Sequence, residues 1–436
     1  MDLGRYADGH WVPPQQLRLK HTIKLFLEIQ MLPDRPIVPK LSRFINFAGN
    51  KSLKYTEKFL CLNEEELMDH AARRISLHDY GDSYFRQGLT RLIDSIKQDV
   101  SLTFLGRLMQ RQAIAQCLEN RLQFVEFHRK KPDIFKQPLN PPIIVLGLPR
   151  SGTTFLHRLL AQDPQNRGLY FWELIRQAPP VNGKDSRRIK AKLEYTTFQR
   201  LSVNLDHIHV IRESEYEECI WLMATTFYSG AFYVLAPVFS YILWCMKQDR
   251  LKVYEEYIQL LKIFQAATPD RRLTLKAPAH TGSLPEINRL LPEAVLVQTH
   301  RHPVDVVNSI NSLIYWAHYN VVERIDIKKM AQCHLDMLQY EINRNLLSRK
   351  YHGIEVCDIL YEELLADPLG VVKKIYHKHG IPLSNMAEAK MKVFIAANPQ
   401  HKHGAHKYRT DDFGIAEHQI TERFEDYMEQ FGYRLK

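Results

Sequence analysis

Ile143-Ile144-Val145-Leu146-Gly147-Leu148-Pro149-Arg150-Ser151-Gly152-Thr153-Thr154 is the stretch on which the fold turns. It opens with a short β-branched, apolar run, the mark of a strand buried on both faces of a parallel sheet. It then passes through a glycine-bounded loop into Phe155-Leu156-His157-Arg158-Leu159-Leu160, a helical pattern. A strand, a tight loop and a helix in that order make a phosphate cradle. Backbone N–H groups at the helix start point at the anion, and the helix dipole favours negative charge there. Gly152 lets the backbone come close, and Ser151, Thr153 and Thr154 supply hydroxyl donors.

The same alternation continues outward. Leu273-Thr274-Leu275-Lys276, Ala294 to Gln298 and Ile354 to Ile359 read as further strands with helical patterns between them. Strands alternating with helices predict an α/β fold, a parallel sheet with helices on both faces, over residues 137–436. A breaker run at Pro138, Pro141 and Pro142 precedes it. Residues 1–136 read as a separate helical region. There Asn63 before Glu64-Glu65-Glu66 is a capped helix start, and Asp79-Tyr80-Gly81-Asp82 a loop.

Composition sets wide bounds. The 436 residues carry 59 Lys and Arg against 49 Asp and Glu, a formal charge of +10, so an anionic partner is expected. Hydrophobic residues are 45% of the chain, which excludes disorder throughout. Six cysteines, none in a CxxC spacing, predict small buried hydrophobes and not a zinc or disulfide framework. The start of the chain lacks a signal-peptide pattern, so a cytoplasmic setting is expected. Cys219 to Met246 contains no charged residue. Its Thr, Ser, Gly and Pro content argues for buried helices broken near Pro237 that could wall an apolar ligand, over a membrane span.

The loop has the G-x4-G spacing of nucleotide-binding P-loops, but Thr153 stands where those have Lys, and the cation is Arg150 inside the loop. That weighs against a nucleotide kinase or NTPase. It instead resembles the 5′-phosphosulfate loop of sulfotransferases that use 3′-phosphoadenosine 5′-phosphosulfate (PAPS). Cytosolic members carry Lys at the Arg150 position, and protein-tyrosine members carry Arg. A helical N-terminal addition resembles the bacterial-type members.

The resemblance implies a P-loop-type domain and assigns further residues. Arg301, followed eight residues on by Ser309, matches the 3′-phosphate pair. A guanidinium at a strand end offers a planar fork to phosphate, and Ser309 two helical turns later adds a hydroxyl. Tyr361, in Ile359-Leu360-Tyr361-Glu362-Glu363, matches the tyrosine beside the adenine. Lys276 matches the lysine that ends a strand near the transferred group. His280 is the preferred base, although family members place it two residues after the lysine and here it is four. Glu173 is the rival base. His207, His209 and Glu217 are candidates for the acceptor side. His401 to Tyr408 is similar to the basic loop that closes the phosphate site.

The expected activity is transfer of a sulfuryl group from PAPS to the hydroxyl of a small, hydrophobic or lipid-like molecule. No metal and no nucleic acid are expected, and contact with a membrane surface stays open. The competing readings are a P-loop kinase and a non-catalytic basic protein that binds membranes or nucleic acid.

Overall fold

The computed structural model describes residues 38–436 except 182, 204–211, 320, 400–409 and 434–436, together with the strand residues 6–7 and 10–11. Chain contacts divide it into two units, Met1–Ile37 and Val38–Lys436. In the first, Tyr6–Ala7 pairs antiparallel with His10–Trp11.

The larger unit is built on a five-stranded parallel sheet. Its strands are β1 (Ile143–Gly147), β2 (Asn166–Arg167), β3 (Arg272–Lys276), β4 (Val295–His300) and β5 (Cys357–Leu360), in the spatial order β2-β3-β1-β4-β5. Val145 of β1 lies opposite Lys276 of β3 and Val297 of β4, and Gly147 lies opposite Thr299. Every β1 residue is buried, as its apolar run requires. Alternate side chains feed opposite layers. Ile144 and Leu146 join one core with Leu275, Leu296 and Phe127, whereas Ile143 and Val145 join the other with Leu156, Val297 and Ile359.

Four long helices precede the sheet: α1 (Lys40–Leu60), α2 (Glu64–Ile75), α3 (Phe85–Asp99) and α4 (Phe104–Lys130). Asn63 caps α2 as read, its side chain accepting from the Glu66 N–H at 3.1 Å. The change of character near residue 137 is not a division in packing. Arg121 of α4, fully buried, donates to the carbonyls of Tyr80 at 2.8 Å and Asp82 at 2.9 Å, and pairs with Glu256 at 2.8 Å. One guanidinium thus ties the Asp79–Asp82 loop to a helix between β2 and β3.

Five more helices matter for the site: α5 (Thr153–Leu160), α6 (Phe171–Ile175), α7 (Leu251–Ala267), α8 (Pro303–Tyr319) and α9 (Ile327–His352). The uncharged stretch folds into short helices, Ile220–Met223, Ala231–Leu235 and Phe239–Cys245, with the break at Pro237. No helix among the described residues is long and apolar enough to cross a membrane. Of the six unpaired cysteines, Cys219, Cys333 and Cys357 are buried, but Cys61 is exposed, contrary to the reading of all six as core residues.

Candidate active site

The chain leaves β1 for the β2 edge and later crosses to β4, so the sheet's topological switch lies beside β1. Ligands in open parallel sheets sit outside the carboxyl ends of the strands at such a point. The predicted residues converge there. Gly147 (φ +132°) approaches β4 so closely that a Cβ would fall 2.3 Å from the Thr299 carbonyl oxygen. Gly152 (φ +90°) would place a Cβ 2.9 Å from Leu364 and 3.2 Å from Tyr361. Arg150 is itself held at φ +67°, a region that non-glycine residues seldom occupy.

That conformation turns the Arg150 guanidinium across the crevice, where Nε donates to Ser309 Oγ of α8 at 2.9 Å. Arg301, at the end of β4, donates from Nη1 to the Arg150 carbonyl at 2.9 Å and stacks on the Tyr361 ring at 4.5 Å. Its Nε is buried without a hydrogen-bond partner and lies 3.9 Å from Asp305. Burial and the nearby Arg301 charge both push the Arg150 pKa below its ordinary value. Two guanidiniums this close, one with an unused donor, can take an anion between them.

Lys276 ends β3 fully buried, with Nζ 3.1 Å from Thr154 Oγ1 and 2.8 Å from Glu218 Oε1. Glu218 arrives by backbone registration. The Cys219 N–H donates to the Lys276 carbonyl at 3.0 Å, and the Glu217 N–H donates to the Leu169 carbonyl at 3.1 Å, so residues 216–219 run beside the ends of β2 and β3. Glu217 turns inward to Arg158 at 3.2 Å, and its Oε2 accepts from the Glu218 N–H at 3.0 Å. The Glu218 side chain keeps 24% exposure and faces a cavity of about 500 Å³ that also meets Arg150, Thr153 and Thr154. Trp221, Tyr228, Tyr233 and Ile242 from the uncharged stretch, with Ile310 and Ile314 of α8, line the cavity beyond. In that wall Arg250 and Glu341 neutralise each other at 2.6 Å, and Asp249 also borders the cavity.

Five predicted residues are not on the wall of this cavity: Lys276 stands behind it on Thr154 and Glu218, Ser309 stands behind it on Arg150, and the other three are engaged elsewhere. His280 is fully buried: Nδ1 meets the Tyr254 hydroxyl at 2.7 Å, and Nε2 lies 3.1 Å from Cys219 Sγ. Desolvation lowers its pKa to about 3. The shifted spacing after Lys276 has carried it into the core behind the strand. Glu173 forms the capping box of α6, accepting from the Tyr170 N–H at 3.0 Å, and pairs with Arg167. Burial raises its pKa while Arg167 opposes the rise. Ser151 is also fully buried, its hydroxyl donating to the Leu148 carbonyl at 2.6 Å and meeting Thr299 Oγ1 at 2.7 Å. It fastens the loop to β4. Residues 207, 209 and 401–408 lie outside the described residues. Among the described residues no group of three His, Cys, Asp or Glu stands together as a metal site would require.

Known proteins share this architecture. The sulfotransferase-family pattern matches residues 141–385, from just before β1 to beyond Tyr361. The omega-hydroxy-beta-dihydromenaquinone-9 sulfotransferase Stf3 of Mycobacterium bovis is 21% identical over 322 residues, covering 67% of this chain and 76% of the relative, as is its Mycobacterium tuberculosis counterpart. Among solved structures, sulfotransferase STF1 from Mycobacterium tuberculosis is 27% identical with a TM-score of 0.74, covering 84% of this chain and 98% of that one. Sulfotransferase STF9 from Mycobacterium avium is 25% identical with a TM-score of 0.77, covering 86% and 98%. The pattern takes in more than half the chain and the whole loop–Lys276–Arg301 constellation, and on that match the chain belongs to the sulfotransferase family.

Proposed function

We propose that this enzyme moves the sulfuryl group of PAPS to a hydroxyl on a largely apolar acceptor, with Glu218 as the base. The observation that carries the reading is the Glu218–Lys276–Thr154 contact at the mouth of an apolar cavity, beside the Arg150 and Arg301 anion site. The site fits such a donor on two counts. Gly152 holds φ +90°, where a Cβ would press on Leu364 and Tyr361, and a buried Arg301 donor lacks a hydrogen-bond partner.

In this assignment Arg150, Gly152, Thr153 and Thr154 hold the phosphosulfate end, and Arg301 and Ser309 hold the 3′-phosphate. Tyr361, under Arg301, flanks the nucleoside. PAPS supplies a sulfuryl group already activated on a phosphate. The chain's own part is positioning and charge. Glu218 Oε accepts the proton of the acceptor hydroxyl as the new O–S bond forms. Lys276 and Arg150 offset the negative charge left on the departing phosphate oxygen. The apolar wall from 219–246 excludes water, which would compete as acceptor.

The acceptor class rests on that wall and on the hydroxylated menaquinone in the name of the Stf3 relatives. Six unpaired cysteines support a reducing, cytoplasmic setting.

The test is calorimetric titration with adenosine 3′,5′-bisphosphate against ATP, followed by transfer of labelled sulfate from PAPS to long-chain alcohols. Tight binding of the bisphosphate and preference for apolar alcohols are expected. Tight ATP binding with none of the bisphosphate, or best transfer to small sugars, would overturn the reading.

A further inference from the structure

Helix α1 is inside out for a surface helix. Its small and polar side faces the protein. The Ser42 hydroxyl donates to the Leu201 carbonyl at 2.6 Å, the Leu105 N–H donates to Asn46 Oδ1 at 2.8 Å, and Gly49 packs on the Phe104 ring with no space for a Cβ. Its apolar stripe faces outward at helical spacing: Leu41 is 53% exposed, Phe44 67% and Phe47 62%. The Lys51 ammonium sits 4.4 Å over the Phe47 ring, holding a positive charge against the exposed aromatic.

The helix that α1 meets through Ser42, Arg187–Leu201, has the same character. Ile189 and Leu193 are about 70% exposed, and Arg188, Lys190 and Lys192 beside them are exposed too. Together these 36 residues hold ten Lys and Arg against two Glu, so a net +8 of the chain's +10 resides in two neighbouring helices. Exposed large apolar groups embedded in net positive charge are the combination that enters the headgroup layer of an anionic bilayer.

We infer that α1 and the 187–201 helix form a docking surface for an anionic phospholipid membrane. Phe44 and Phe47 enter the acyl boundary, and the exposed Arg43, Lys51, Arg188, Lys190 and Lys192 meet the phosphates. The inference goes beyond the transfer reaction. Its test uses neither PAPS nor an acceptor, so the two stand or fall separately.

Co-sedimentation of the full chain with phosphatidylcholine vesicles, with and without phosphatidylglycerol, reads the binding directly. Binding only to the anionic vesicles is expected, weakening with salt. Phe44→Ser/Phe47→Ser should lower the partition on the order of tenfold or more through lost apolar burial. Lys190→Glu/Lys192→Glu should do the same through charge, while circular dichroism of both variants stays unchanged. Three results would overturn the inference. The first is no binding of the unaltered chain to anionic vesicles. The second is equal binding by the phenylalanine variant. The third is light scattering in which a dimer becomes a monomer on Phe44→Ser/Phe47→Ser with no vesicle binding, since a second copy would then cover the stripe.

Discussion

At the scale of single residues, the site separates groups that act from groups that hold. Glu218→Gln keeps the contact with Lys276 but removes the proposed base, so turnover should fall about 10²–10⁴-fold with little change in nucleotide affinity. His280→Gln should do the opposite. It breaks the Tyr254–His280–Cys219 contacts, and the loss should appear in melting temperature more than in turnover. Arg150→Ala should reduce turnover about 10²–10³-fold, the usual result of losing one donor to a developing anion. Arg301→Ala should chiefly weaken binding of adenosine 3′,5′-bisphosphate, read by calorimetry. Arg150, Thr153 and Thr154 are legible because they stand in a loop and helix start whose chemistry is local, whereas Arg301 and Ser309, the latter inside α8, are singled out only by the resemblance to sulfotransferases. Glu218 is legible in neither way. Its partner Lys276 lies 58 residues on, and only pairing of residues 216–219 beside the strand ends brings the two together. Glu173 and His280 each had an eligible side chain, but one was taken by a helix cap and the other by the core.

Among the elements, strands with a continuous apolar run were the easiest to read. β1 lies at 143–147 as its sequence announces. β2 leaves no signal in the sequence, because two residues carry no periodicity. The uncharged stretch was read as broken helices with a greasy face, and its side chains do line the cavity. What the sequence could not disclose was that α4 belongs with the sheet, since that depends on Phe127 sharing a core with Ile144 and Leu146 and on Arg121 joining the Asp79–Asp82 loop to α7. Arg121 also lies 4.4 Å over the Phe85 ring. Removing a buried, fully engaged guanidinium leaves Glu256 with the Thr225 hydroxyl but no cation, and two loop carbonyls without their donor. Arg121→Ala should therefore cost about 3–5 kcal/mol in urea unfolding. Loss of under 1 kcal/mol, on the other hand, would mean that the Asp79–Asp82 loop is anchored by other contacts.

For the molecule as a whole, four of the six buried histidines among the described residues set a limit on acid tolerance. Desolvation lowers His157, His280 and His334 to about 3 and His318 to about 4, against 6.5 when exposed. The unfolded chain therefore binds more protons than the folded one in the window from about 6.5 down to those values, and stability falls as pH falls. By pH 5 each such histidine contributes a loss of about 2 kcal/mol. The melting temperature should be flat above pH 7 and drop steeply toward pH 5. A flat profile across that range would show that these rings take up protons in the folded chain as they do in the unfolded one. The sheet order has one more consequence, and it concerns synthesis. β1 sits at the centre, yet β3 begins 129 residues and β4 152 residues after β1 begins. At ordinary elongation rates its two neighbours reach the ribosome exit roughly 6–30 s after it does. For that interval the nascent chain displays an all-apolar strand with both edges open, which makes it a client for cotranslational chaperones.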